Sequence, residues 1–85
     1  MNKLKYYRKR IDVIDSNIVK LLSSRFRIAK QIASYKKKNN IKVLDKKREL
    51  QVIKNIKKHS DKRNQKFIVD IFKTIINHSK KIQSK

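Results

Sequence analysis

From Lys3 to Lys38 nothing in the chain would stop a helix. The 85 residues contain no Gly and no Pro, so neither the flexible nor the rigid breaker is present. Within that stretch Leu4, Arg8, Ile11, Asp15, Ile18, Leu22, Arg25, Ala29, Ile32 and Lys36 recur in strict alternating steps of four and three. That is the spacing of a coiled-coil seam, and Ile14, Leu21 and Ile28 flank it. The predicted helix is about 50 Å long at about 1.5 Å per residue, whereas a compact chain of this size is only about 25 Å across. Such a helix cannot bury its seam against its own chain. It needs a partner of matching length, and the simplest is a second copy of itself.

The remaining residues predict two shorter helices. Asn39, Asn40 and the residues to Val43 form a polar connector. A second helix reads from about Leu44 to His59, with Asp45, Arg48, Glu49, Val52, Ile53 and Ile56 sharing one side. Asp45 suits the positive end of that helix, either as its N-cap or within its first turn. Ser60 to Asn64 make the next break. A third helix, about Gln65 to Gln83, carries Phe67, Ile68, Ile71, Phe72, Ile75 and Ile76 on an apolar face. Without Gly or Pro, tight β-hairpins have no turn chemistry. The expected fold is all-α: three helices, one very long, one short and one medium, forming a single domain over residues 1–85 in an intertwined homodimer.

Composition narrows the function classes. No cysteine means no disulfide framework and no thiolate metal site. His59 and His78 are far apart and lack ligand spacing, so no metal is expected. The basic N-terminus runs into Ile-Asp-Val-Ile-Asp rather than an apolar core, which is no secretory signal. No stretch approaches the roughly 18 apolar residues of a membrane span. A cytoplasmic protein without membrane contact is expected. The net charge of +20 invites a nucleic-acid reading. The lysines, however, are spread along the whole chain, with Lys36 to Lys38 the only run of three. Phe67 and Phe72 fall on an apolar face, and Tyr6, Tyr7 and Tyr35 are too few for a stacking platform. No specific nucleic-acid partner is expected. A basic surface steers a small dianion as readily as a phosphate backbone.

The informative residues are polar ones in apolar register. Arg8, Arg25 and Lys36 occupy seam positions where aliphatic side chains would pack better. Ser79 and Gln83 prolong the face of the third helix, three and seven residues after Ile76. Asp45, Arg48 and Glu49 have the i, i+3, i+4 spacing that places them on one side of the second. Singly, each has a plain explanation: a snorkelling Arg8, an ion-paired Arg25, a solvated Lys36, a cap with a surface salt bridge, a frayed helix end. Jointly they do not. Three seam cations opposed mainly by Asp15 imply an anionic partner that the chain does not itself supply.

The string Arg8-Lys-Arg-Ile-Asp-Val-Ile-Asp15, then Leu21-Leu22 and Arg25, Lys36, Asp45-Lys-Lys-Arg48-Glu49, and finally Ser79 and Gln83, resembles the all-helical chorismate mutases. The resemblance spans essentially the whole chain, and from Arg8 to Glu49 it needs no gap. It implies a Claisen rearrangement of chorismate to prephenate in aromatic amino-acid biosynthesis, with no cofactor and no enzymic nucleophile. It further implies that Arg8 and Arg25 each grip a substrate carboxylate, and that Lys36 and Gln83 donate to the ether oxygen. Glu49 would accept from the ring hydroxyl, with Asp45 beside it. Ser79 would bond a carboxylate, Arg48 would reinforce the anion site, and Ile32 and Ile76 would form apolar walls. Spacing along the first helix adds a constraint. Arg25 and Lys36 lie about 16 Å apart and can converge on one ligand, but Arg8 is about 42 Å from Lys36. If Arg8 acts, it serves the partner's site. An isochorismate-pyruvate lyase on the same scaffold is the nearest rival, and a basic nucleic-acid-binding dimer a more distant one.

Overall fold

A computed structural model of the chain describes residues 2–84. It contains three helices, α1 (Lys3–Lys38), α2 (Lys46–His59) and α3 (Gln65–Gln83), and no strand among the described residues. The expected all-α architecture is therefore observed, with α2 starting at Lys46 because Asp45 takes the cap position. The fold hangs on α3. It packs against both α1 and α2, while α1 and α2 have no Cα atoms within 8 Å of each other. Ala29 of α1 and Val69, Ile75, Ile76 and Ser79 of α3 are the buried residues, so the core lies on the C-terminal half of α1. Burial corrects the expected face of α3 in one respect. Val69 lies in the core, whereas Phe67 and Ile71 sit on an uncovered flank, 67% and 59% exposed. At 3.6 residues per turn Val69 falls about 160° from both Phe67 and Ile71, and it is the Val69 side of α3 that α1 and α2 cover.

The N-terminal half of α1 projects beyond this core. Leu4, Ile11, Ile14 and Ile18 remain exposed along the predicted seam. The molecule is correspondingly drawn out, 59 × 25 × 15 Å, with a radius of gyration of 16.4 Å against about 12 Å for a compact chain of this length. Its accessible surface is 7929 Å², and a folded monomer of the same mass exposes only about 5,400 Å².

The helix ends use side chains in place of the missing glycines. Asn2 caps α1 by accepting from the Lys5 N–H at 3.2 Å. At the other end Asn40 adopts φ 54°, in the left-handed region. The Ile41 N–H bonds the Lys36 carbonyl at 2.8 Å and the Asn40 N–H bonds the Lys37 carbonyl at 3.5 Å. That pair of bonds is a Schellman closure, normally carried by glycine and next most readily by asparagine. It turns the chain sharply so that Val43 and Asp45 come back alongside the end of α1. Asp61 then accepts from the Asn64 N–H at 2.8 Å and tightens the α2–α3 turn.

Asn40→Val should lower stability by about 1–2 kcal/mol, because a β-branched residue resists the left-handed conformation. Asn40→Gly should be neutral or stabilising. Urea unfolding midpoints of the two variants test this assignment, and equal midpoints would contradict it.

Candidate active site

The three helices enclose a cavity of about 350 Å³ beside the buried end of α1. From α1 come Arg25, Ile28, Ala29, Ile32 and Lys36, one face of the helix over three turns. The α2 side supplies Asp45, Arg48, Glu49 and Val52, and the connector supplies Val43. Ile76, Ser79, Lys80 and Gln83 of α3 close it at spacing i, i+3, i+4, i+7. Nine of the ten residues expected from the sequence thus line one cavity. Arg8 does not. It is exposed on the projecting half of α1, 17 residues before Arg25 and so about 26 Å away along the helix.

The polar groups are bonded to other groups of the protein in part and left without a partner in part. The Arg25 guanidinium donates to Ser79 Oγ at 2.6 Å, and that hydroxyl in turn donates to the Ile75 carbonyl at 3.0 Å. Burial lowers the Arg25 pKa from its usual value, and the nearby Arg48 cation adds to the effect. A guanidinium nonetheless stays charged at neutral pH. Arg25 is therefore a partly desolvated cation whose hydrogen-bond partner is a neutral hydroxyl. Lys36 Nζ donates to the Val43 carbonyl at 3.0 Å, which uses one of its three N–H groups. Gln83 Oε1 is buried without any hydrogen-bond partner.

Asp45 resolves as the N-cap of α2. Its Oδ1 accepts from the Arg48 N–H at 2.9 Å, which aims the first turn, with Arg48 and Glu49, at the cavity. Glu49 is paired with Lys80 of α3 at 2.6 Å. Among the described residues no cluster of His, Asp and Glu could hold a metal ion, and no helix is long and apolar enough to cross a membrane.

Residues 7–84 match the family described as chorismate mutase type II. The chain belongs to that family. It is 34% identical over 85 residues to a chorismate mutase of Methanocaldococcus jannaschii, covering 98% of this chain and 86% of the relative. It is also 35% identical over 86 residues to a bifunctional chorismate mutase/prephenate dehydratase of Buchnera aphidicola subsp. Baizongia pistaciae. There it covers 99% of this chain but only 23% of the relative. No solved structure matches the chain.

Within the chorismate mutase domain the residues that sequence reasoning missed are instructive. Ile28, Ala29, Val43 and Val52 line the cavity although the sequence assigns them no role at a site. Lys80 had not been singled out at all. Its signal was present, since it stands four residues after Ile76 on the apolar side of α3. Among 26 basic residues a single lysine in apolar register is easily taken for surface.

The cap makes its own prediction. Asp45→Ala should cost about 1 kcal/mol of stability, and Asp45→Asn, which still offers an acceptor, much less. Urea denaturation of both variants measures the difference. An equal loss in the two would show that charge, and not capping, is what Asp45 provides.

Proposed function

We propose that the protein is a cytoplasmic chorismate mutase of aromatic amino-acid biosynthesis, a homodimer that rearranges chorismate to prephenate with no metal or cofactor. The observation that carries this reading is the set of cations Arg25, Lys36 and Arg48 around an apolar-walled cavity of about 350 Å³. That volume lies at the small end of the range for ligand sites. Three positive groups beside Ile32 and Ile76 suit a compact dianion with an apolar ring.

The reaction breaks one carbon–oxygen bond and forms one carbon–carbon bond in a single cyclic electron shift. No proton, oxidant or nucleophile is exchanged with the enzyme. What remains for the protein is to hold the flexible substrate in its reactive chair and to stabilise charge as it develops. Arg25, already oriented by Ser79, clamps one carboxylate, and Ser79 adds a hydrogen bond to it. Arg48 reinforces the anion site from α2. Lys36 donates to the ether oxygen as negative charge grows there, and the Gln83 amide donates from the opposite side. Glu49 accepts from the ring hydroxyl, with Asp45 beside it. Arg8 completes the site of the partner protomer and clamps the second carboxylate. Its distance from Arg25, the exposed seam of α1 and the excess accessible surface all support a pairing of two antiparallel α1 helices.

Purified protein should consume chorismate, followed by loss of its absorbance, with no cofactor added. Removing one charge-stabilising donor typically costs about 10²- to 10³-fold in kcat, so Lys36→Ala should lose activity on that scale. Because Lys36 also ties down Val43, circular dichroism of the variant should accompany the assay. A folded Lys36→Ala protein with near-normal turnover would remove Lys36 from the ether-oxygen role.

The shared site has a sharper test. Arg8→Ala and Arg25→Ala proteins should each be badly impaired. Unfolded together and refolded as an equal mixture, they should form about half heterodimers. One site of each heterodimer then has both arginines and the other has neither. Activity should recover to about a quarter of the wild-type value. Were Arg8 to act within its own chain, every site would keep one lesion. No recovery in a mixture shown by sedimentation to contain heterodimers would refute the shared site.

A further inference from the structure

The pair between Lys80 and Glu49 is the only salt bridge among the described residues, although the chain carries 26 basic residues for 6 acidic ones. It joins α3 to α2 at the edge of the cavity, with the two side chains 39% and 26% exposed. Lys80 does not reach Glu49 from the surface by chance of a long side chain. It stands at the rim of the buried face of α3, four residues after Ile76, and lines the cavity with Ile76, Ser79 and Gln83.

The two carboxylates of the cavity differ in what they do. Asp45 is committed to capping α2. Glu49 lines the cavity with Lys80 as its partner, and a bare carboxylate beside a bound dianion would repel it. Paired with Lys80 it forms a locally neutral unit, which leaves Arg25, Lys36 and Arg48 to face the anion. The ammonium bonds Oε1, and the remaining lone pairs of the carboxylate are those a ring hydroxyl can use.

We propose that Lys80 is a positioning and specificity-determining residue: paired with Glu49, it aims that carboxylate at the substrate hydroxyl and cancels its repulsion of the dianion. The inference rests on the mutase reading given above. On this view Lys80 acts through Glu49 and does not touch the reacting atoms. Its loss weakens the binding of dianions far more than it slows the chemical step.

The test compares kcat and KM on chorismate for wild type, Lys80→Met, Lys80→Gln, Lys80→Arg, Glu49→Gln and the double variant Lys80→Met/Glu49→Gln. Wild-type turnover examines the mutase reading by itself, and only ratios between variants examine Lys80. Lys80→Met and Lys80→Gln should raise KM by about tenfold with a much smaller change in kcat. Lys80→Arg, which keeps the charge, should stay near the wild-type KM. Glu49→Gln should lower kcat. Adding Glu49→Gln to Lys80→Met should bring KM back towards that of Glu49→Gln alone, since the charge that Lys80 offsets is then gone. A clamp that merely fastened α2 to α3 would leave the double variant at least as impaired as Lys80→Met. Calorimetric binding of prephenate, another dianion, should reproduce the KM ratios without turnover. Wild-type KM in both Lys80→Met and Lys80→Gln, or a raised KM that persists in the double variant, would overturn the proposal.

Discussion

The helix α1 runs for 36 residues, about 54 Å, and α3 covers only its C-terminal part. Everything distinctive about the molecule follows from that mismatch. The covered part carries Arg25, Ala29, Ile32 and Lys36, held in register over three turns by a continuous ladder of backbone bonds. A rigid helix of this kind fixes the positions of two cations with no loop between them. The uncovered part offers a row of leucine and isoleucine side chains to water and places Arg8 far from its own cavity. One element therefore builds the floor of a site and, in its exposed half, a surface suited to completing another.

The interior electrostatics are unusual for so small a core. A buried cation ordinarily has a carboxylate against it, because desolvation is otherwise uncompensated. Arg25 instead has Ser79 and a second guanidinium, Arg48, close enough to depress its pKa further. The chain has 20 more basic than acidic residues, so the local excess could be dismissed as part of a general bias. Geometry argues against that. Surface lysines lie fully in water and cost nothing to leave unpaired, whereas Arg25 is half-buried and hydrogen-bonded in a fixed direction. On the proposed reading the diffuse surface charge would draw anions inward at long range, and the ordered cations of the cavity would select among them at short range.

Much of this was legible in the sequence, for identifiable reasons. Helix boundaries were readable because asparagine, aspartate and serine stand at nearly every break, in a chain without glycine to obscure them. The α1 contribution was readable because a strict seam makes Arg25 and Lys36 conspicuous as cations at apolar positions. What the sequence could not give was the rotation of α3. Val69 lies nearly opposite Phe67 and Ile71 on the helix, and only the approach of both other helices decides that Val69 is buried while Phe67 and Ile71 are left out. The same rotation brings Lys80 to the rim of the cavity, which periodicity permits but does not require. Residue types leave Asp45 open between cap and first turn, since capping depends on backbone angles that they merely favour.

The cavity sets polar groups where packing alone would place apolar ones. Arg25 has a neutral hydroxyl as its hydrogen-bond partner, and Gln83 Oε1 lies buried with no donor; both are arrangements that selection for stability alone would replace with apolar packing. Lys36, by contrast, is held by a single carbonyl of the connector, and its remaining N–H groups stay free. The connector bond orients the ammonium without neutralising it, so on the proposed reading a charge developing in the cavity would meet a donor already in place. Such a group need not reorganise at the moment of reaction, which is the condition under which a fixed dipole or charge accelerates chemistry most. The neutral Glu49–Lys80 pair fits the same logic from the other side. On the proposed reading it keeps an acceptor for the ring hydroxyl while adding no net negative charge beside Arg25, Lys36 and Arg48.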